Sequence, residues 1–291
     1  MYHSLQDLID QANSRQVSLA RIVLENEMAL SDKTEEEVYE LLDRHYEVMV
    51  ASAQRALTQP QEMVGGLIKG QAARQYKYQN PLCGEYLNRL MAMALSGSEV
   101  NASMGLVCAA PTGGASGILP AVLLATGEKL GSSRRQLLDA LLVASGVGAV
   151  ITKNATVSGA EGGCQAECGA AAAMGAAAVV FLSGGSPEAC AHAVAIALMN
   201  CMGLICDPVA GMVQLPCAYR NASQAVNAII SADLALAGQS SVIPADEVIE
   251  AMYRVGRMLP VELRETALGG IAASKTAKEI AKQLAEQDTN D

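Results

Sequence analysis

Residues 186–204 read SPEACAHAVAIALMNCMGL. Ser186 is a helix N-cap residue, Pro187 suits a first helical position that needs no backbone N–H, and Glu188 puts an acid in the first turn. This segment predicts a helix that runs to about Leu204 and stops before Asp207-Pro208. Just upstream, residues 170–182 (AAAAMGAAAVVFL) form a dense apolar run. It is too short to cross a bilayer and is read as part of a buried helix over 165–182. The apolar stretches around 136–151 and 191–206 are interrupted by Asp, Ser, His or Asn and are also read as buried helices.

Outward from this centre the same signals recur. Thr34 and Glu37 have capping-box spacing, and the segment to about Ala56 puts Val38, Leu41, Leu42, His45 and Val48 near one face. Further helices are predicted near 83–96, 116–130, 134–151, 221–237, 244–258 and 275–287. No segment alternates polar and apolar residues for long, and β-branched residues are scattered. The expected fold is all-α, a compact multi-helix bundle-like domain with Gly-rich connecting loops. Residues 1–60 are read as a helical N-terminal section packed on a body of residues 61–291, and the tail after Ala285 is expected to fray.

Hydrophobic residues make up 51% of the 291, yet there is no Trp and Phe181 is the single Phe, so small side chains must supply dense helix–helix packing. A net charge of −10 argues against nucleic acid or an anionic membrane as a partner. The polar, amphipathic start MYHSLQDLIDQANSRQ does not read as a signal peptide, and the chain is expected in the cytoplasm. Its eight cysteines are then expected as thiols.

Gly and small polar residues gather at three places: 101–117, 154–163 and 206–211. Such loops admit a ligand close to backbone N–H groups, and each leads toward a helix N-terminus. Six cysteines fall between 164 and 217. Cys164 and Cys168 would share a helical face, and Cys206 and Cys217 bracket DPVAGMVQLP. There is no Cys-x-x-Cys zinc signature and no ferredoxin run, and His3, His45 and His192 are too few for histidine-based chemistry. His192 is read as a core residue.

Asn101-Ala-Ser-Met-Gly, APTGGASGILPA from Ala110, SGAEGGCQAE from Ser158, CDPVAGMVQLPC from Cys206 and RETALGG from Arg264 closely resemble the α-domain motifs of iron–sulfur L-serine dehydratases. The resemblance runs from about residue 60 onward. It implies that Cys164, Cys206 and Cys217 hold a [4Fe–4S] cluster, leaving one iron without a protein thiolate, as a Lewis acid requires. Cys83, Cys108, Cys168, Cys190 and Cys201 are then core residues, with Cys168 the closest rival. The implied reaction converts L-serine to pyruvate and ammonia without pyridoxal phosphate.

Lys153, Asn154, Ser158, Glu161 and Asp207 are the candidate catalytic groups, and Thr112, Gly113, Ser116 and Asn101 the candidate substrate-binding ones. Single-chain relatives carry a Ser-Ser-Ser-His-Thr-type substrate motif that this sequence lacks, which implies a separate β subunit. Some end in a cysteine where this chain has Asp291. Isolated chains are expected to expose an apolar patch and to self-associate. Three alternatives stay open: an iron–sulfur cysteine desulfidase, a pyridoxal-phosphate dehydratase using Lys153 beside Gly159 and Gly162, and a non-enzymatic metal scaffold.

Overall fold

The structure, a computed structural model, describes residues 1–288, so the last three residues of the tail lie outside it. In chain order the helices are α1 (Leu5–Arg15), α2 (Leu19–Ser31), α3 (Glu35–Thr58), α4 (Gln71–Lys77), α5 (Gly84–Ala102), α6 (Ile118–Leu130) and α7 (Arg134–Asn154). There follow α8 (Gly159–Gly162), α9 (Ala170–Leu182), α10 (Pro187–Cys201), α11 (Cys217–Leu236), α12 (Ala245–Met258) and α13 (Lys275–Asp288). Among the described residues there is no strand, only one isolated parallel bridge between Cys206 and Arg264. The all-α expectation holds.

Helix α9 is the axis. Residues 170–180 are buried on every side, and α6, α7, α10 and α11 pack around it. Ala and Gly allow this: a Cβ on Gly175 would stand 3.3 Å from Ala228 Cβ on α11 and from Val122 on α6. Helix α5 carries the packing outward to α3, α4 and α6. At its crossing with the start of α6, a Cβ on Gly117 would overlap the Ala94 carbonyl oxygen and stand 2.9 Å from Asn221 Oδ1. Gly117→Ala should therefore cost about 1–3 kcal/mol through overpacking. Urea unfolding of the variant checks this; an unchanged midpoint would mean that α5 and α6 separate freely.

The N-terminal helices dock on the same body. Leu5, Leu8, Ile9 and Ala12 form one buried face of α1, which meets α10 and α12, while α2 packs on α7. Burial of Leu8 alone is worth about 1.5–3 kcal/mol. The carboxylate of Asp246 at the start of α12 accepts the Leu5 and Gln6 N–H groups at 2.8 and 3.0 Å, pinning α1. The capping box of Thr34 and Glu37 forms as expected, and Ser186 caps α10 through Ala189 N–H.

Several boundaries differ from the sequence reading. Helix α5 continues to Ala102, so Asn101 sits on its last turn, and α7 continues to Asn154, so Lys153 and Asn154 are helical. Helix α11 begins at Cys217 because Pro216, which lacks an N–H, marks its start. Residues 165–169 form a π-helical turn, a form that often marks functional sites. His192, read as a core residue, is only half-buried, and His45, placed near the face of Val38, is exposed. Arg134–Asn154 and Gln165–Leu182 have the length and apolarity of membrane spans, but both are mostly buried inside the protein.

Candidate functional site

The three Gly-rich segments meet at the π turn that follows Cys164. Thr112 Oγ1 donates to Glu167 Oε1 at 2.9 Å, tying the first segment to this turn. Ser158 precedes α8, and a Cβ on Gly159 would overlap the Glu167 carboxylate and stand 3.2 Å from Cys206 Sγ. Cys206 Sγ itself lies 3.8 Å from Glu167 Oε2. Cys206 N–H donates to Leu263 O at 2.9 Å and Cys206 O accepts from Glu265 N–H at 2.7 Å, so the backbone on either side of Arg264, where the RETALGG segment begins, clamps the cysteine.

Positive φ values at Ala210, Glu265 and Ala267 mark the same neighbourhood. Left-handed backbone at non-glycine residues costs on the order of 1 kcal/mol or more each and persists where the surroundings over-determine it. Gly163, just before Cys164, has φ +76°, and any Cβ there would also stand 2.8 Å from Leu204 O. Only glycine meets both demands.

Cys164, Cys168 and Cys206 are buried and Cys217 is half-buried. Cys206 feels the charges of Cys164 and Cys217, and Cys217 feels that of Cys164, which places the three in one electrostatic neighbourhood. Burial pushes the Cys206 thiol well above its ordinary range, and the Glu167 carboxylate adds to this. Burial likewise pushes Cys217 up to about 12. Cys164 moves the other way: the Cys168 thiol donates to it, and the Arg220 guanidinium favours its thiolate against the cost of burial.

Among the described residues, no three His, Cys, Asp or Glu side chains stand close enough to hold a single metal ion. A four-iron cluster makes a different demand, one thiolate for each of three separate irons. Three neighbouring soft donors in a site lined by glycine suit it. Burial keeps Cys206 and Cys217 protonated, so a cationic centre would have to displace their protons on binding.

The other candidates divide. Asp207 is 1% exposed; its Oδ2 accepts from Ile271 N–H at 2.7 Å, and its Oδ1 pairs with Arg220 Nη2 at 2.8 Å without hydrogen-bond alignment. Asn101 Oδ1 would lie 3.4 Å from a Cβ on Gly113, so these two meet beside Thr112. Ser116 Oγ is buried without a hydrogen-bond partner. Glu161 is exposed and accepts from Thr156 Oγ1 at 2.6 Å. Lys153 and Asn154 turn to the N-terminus, Lys153 Nζ meeting the His3 ring and Asn154 Nδ2 donating to His3 O at 2.9 Å.

Four residues in or beside the site are not singled out by the sequence reading. Glu167 is half-buried at the meeting of all three segments, and burial raises its pKa. Arg220 joins Asp207 and Ile205. Asn221 accepts from Gly117 N–H and donates to Gly114 O and Cys217 O. Gln165 donates to Gly162 O and Met252 O and accepts from Gly203 N–H. One signal was available: Glu167 and Arg220 each lie three residues, about one helical turn, after a candidate cysteine.

A family profile described as serine dehydratase alpha chain matches residues 14–272. The chain is 49% identical over 290 residues to the L-serine dehydratase alpha chain of Peptoniphilus asaccharolyticus, covering 99% of each. It is 42% identical to a probable L-serine dehydratase alpha chain of Bacillus subtilis, covering 98% of this chain and 95% of the relative. It is 36% identical to the L-serine dehydratase TdcG of Escherichia coli over 93% of this chain, but covers only 61% of that relative.

Proposed function

The chain belongs to the serine dehydratase alpha chain family, and from that membership we propose that it is the α subunit of a two-subunit L-serine dehydratase, a carbon–oxygen lyase of serine catabolism. Near-full-length identity with a protein named as such an α chain carries the reading. Residues 61–291 are taken as the catalytic domain and residues 1–60 as a section packed on it, acting in the cytoplasm.

Cys164, Cys206 and Cys217 are the residues that would hold the [4Fe–4S] cluster. Bound there, the cluster supplies a Lewis-acidic iron for loss of the serine hydroxyl. Thr112, Gly113, Ser116 and Asn101 form the side of the site that would receive the substrate carboxylate and amine. Glu167 takes the proton-handling role at Oε2, because it is half-buried, fixed by Thr112 through Oε1, and adjacent to Cys206. Of the other candidates, Lys153 and Asn154 are engaged with His3, Glu161 with Thr156, and Asp207 with Arg220 and Ile271, and the Ser158 side chain makes no cap bond to α8. Lys153 is accordingly given no Schiff-base role.

Anaerobic purification tests the assignment. The wild-type chain should be brown and carry about four irons, and Cys164→Ser, Cys206→Ser and Cys217→Ser should each lose most of that iron. Full retention in any variant removes that residue from the set. Product analysis with the second subunit present decides the substrate: pyruvate from L-serine supports the dehydratase. Sulfide from L-cysteine without pyruvate from L-serine would make it a desulfidase.

A further inference from the structure

Arg220 is a half-buried cation that the reaction scheme above does not use. It lies on α11, three residues after Cys217, so the two side chains rise from successive turns of one helix. Its Nη1 donates to Ile205 O at 2.7 Å, and its Nη2 stands 2.8 Å from Asp207 Oδ1. Both partners flank Cys206. Asp207 in turn accepts from Ile271 N–H, so the contacts of one guanidinium reach from α11 through the Cys206 loop to the C-terminal segment. The Arg220 side chain is 14% exposed and that of Asp207 1%, so water screens this charge pair poorly.

We propose that Arg220 is a positioning residue that locks the Cys206 loop onto the helix bearing Cys217 and sets the reduction potential of the cluster through its charge. The inference rests on the cluster assignment above. Three thiolates and a buried carboxylate in one neighbourhood accumulate negative charge, and net charge and hydrogen bonding are main determinants of cluster potential. Arg220, held beside Cys206 by its contacts with Ile205 and Asp207, opposes that charge. Asp207 partly cancels it, so loss of either partner leaves the other uncompensated. A fixed two-armed donor suits the double contact with Ile205 O and Asp207, which a lysine ammonium would meet less well.

The experiment is an anaerobic reductive titration of the cluster-loaded full chain, followed by electron paramagnetic resonance, on wild type, Arg220→Gln, Arg220→Lys and Asp207→Asn. Arg220→Gln should move the midpoint potential to more negative values, and Asp207→Asn to more positive ones. Arg220→Lys should stay near wild type while losing iron to a chelator several-fold faster, since charge is kept but the two-armed contact is not. A purely structural role predicts equal iron loss in both Arg220 variants with no change of potential, and that result would overturn the proposal. If Arg220→Gln does not fold, a positive shift in Asp207→Asn with none in Arg220→Lys supports it; no shift in either overturns it. A wild-type chain that takes up no cluster instead overturns the cluster assignment itself.

Discussion

Glu167→Gln should lower kcat for L-serine by roughly 10²–10⁴-fold, the range for loss of a general acid–base group, while iron content stays at the wild-type level. Glutamine has nearly the same shape as glutamate. Its amide oxygen can still accept from Thr112, so the contact that orients the side chain survives. What disappears is the ability to take and return a proton at Oε2, the oxygen that faces Cys206. The surroundings leave little room for a substitute. Gly114 and Gly159 approach the two carboxylate oxygens closely enough that a side chain at Gly159 would displace Glu167. Steady-state kinetics with the complete enzyme, alongside an iron determination, checks this. A variant with full iron and unchanged kcat would remove Glu167 from the chemistry, and one that lost its iron would reveal a role in holding the site together.

Which residues are legible in the sequence and which are not follows from the range of the forces involved. The caps of α3 and α10 were legible because Thr34, Glu37, Ser186 and Pro187 act within one turn. The identity of α9 as a core helix was legible because thirteen consecutive apolar residues leave no polar face. Cys164, Cys206 and Cys217 stood out through the motifs around them, not through spacing. Glu167, by contrast, depends on a π turn that rotates its carboxylate toward Thr112, and local sequence carries little sign of such a turn. Arg220, Asn221 and Gln165 look like ordinary helix residues until the loops they hold are in place. A helix ending at residue 151 would leave Lys153 and Asn154 in the Gly-rich loop beside the site. One further turn of α7 instead delivers them to His3.

Adding the second subunit to the cluster-loaded chain should raise pyruvate formation from L-serine by roughly 10²-fold or more, since orientation and proton transfer each contribute on that scale. This chain matches 99% of an α chain from Peptoniphilus but only 61% of TdcG, and under the proposed two-subunit reading the unmatched part of TdcG would correspond to the separate subunit. The surface fits that division. Met104, Leu106 and Leu268 are 84, 75 and 67% exposed, and Val64 and Ile271 are exposed as well. Val64 and Met104 are tied by backbone hydrogen bonds to the last turn of α5, Leu106 leads toward Thr112, and Ile271 is bound to Asp207. These exposed residues lie on segments that lead into the candidate site, and together they would form an apolar rim suited to docking or self-association. Met104→Asp and Leu268→Asp should weaken assembly with the partner, measured by analytical ultracentrifugation, without reducing the iron bound by the isolated chain. The partner should also slow bleaching of the cluster in air, because docking on the rim covers the approach of oxygen. Full turnover by the α chain alone would show that these residues already contain the whole active site, and the rim would then need a different explanation.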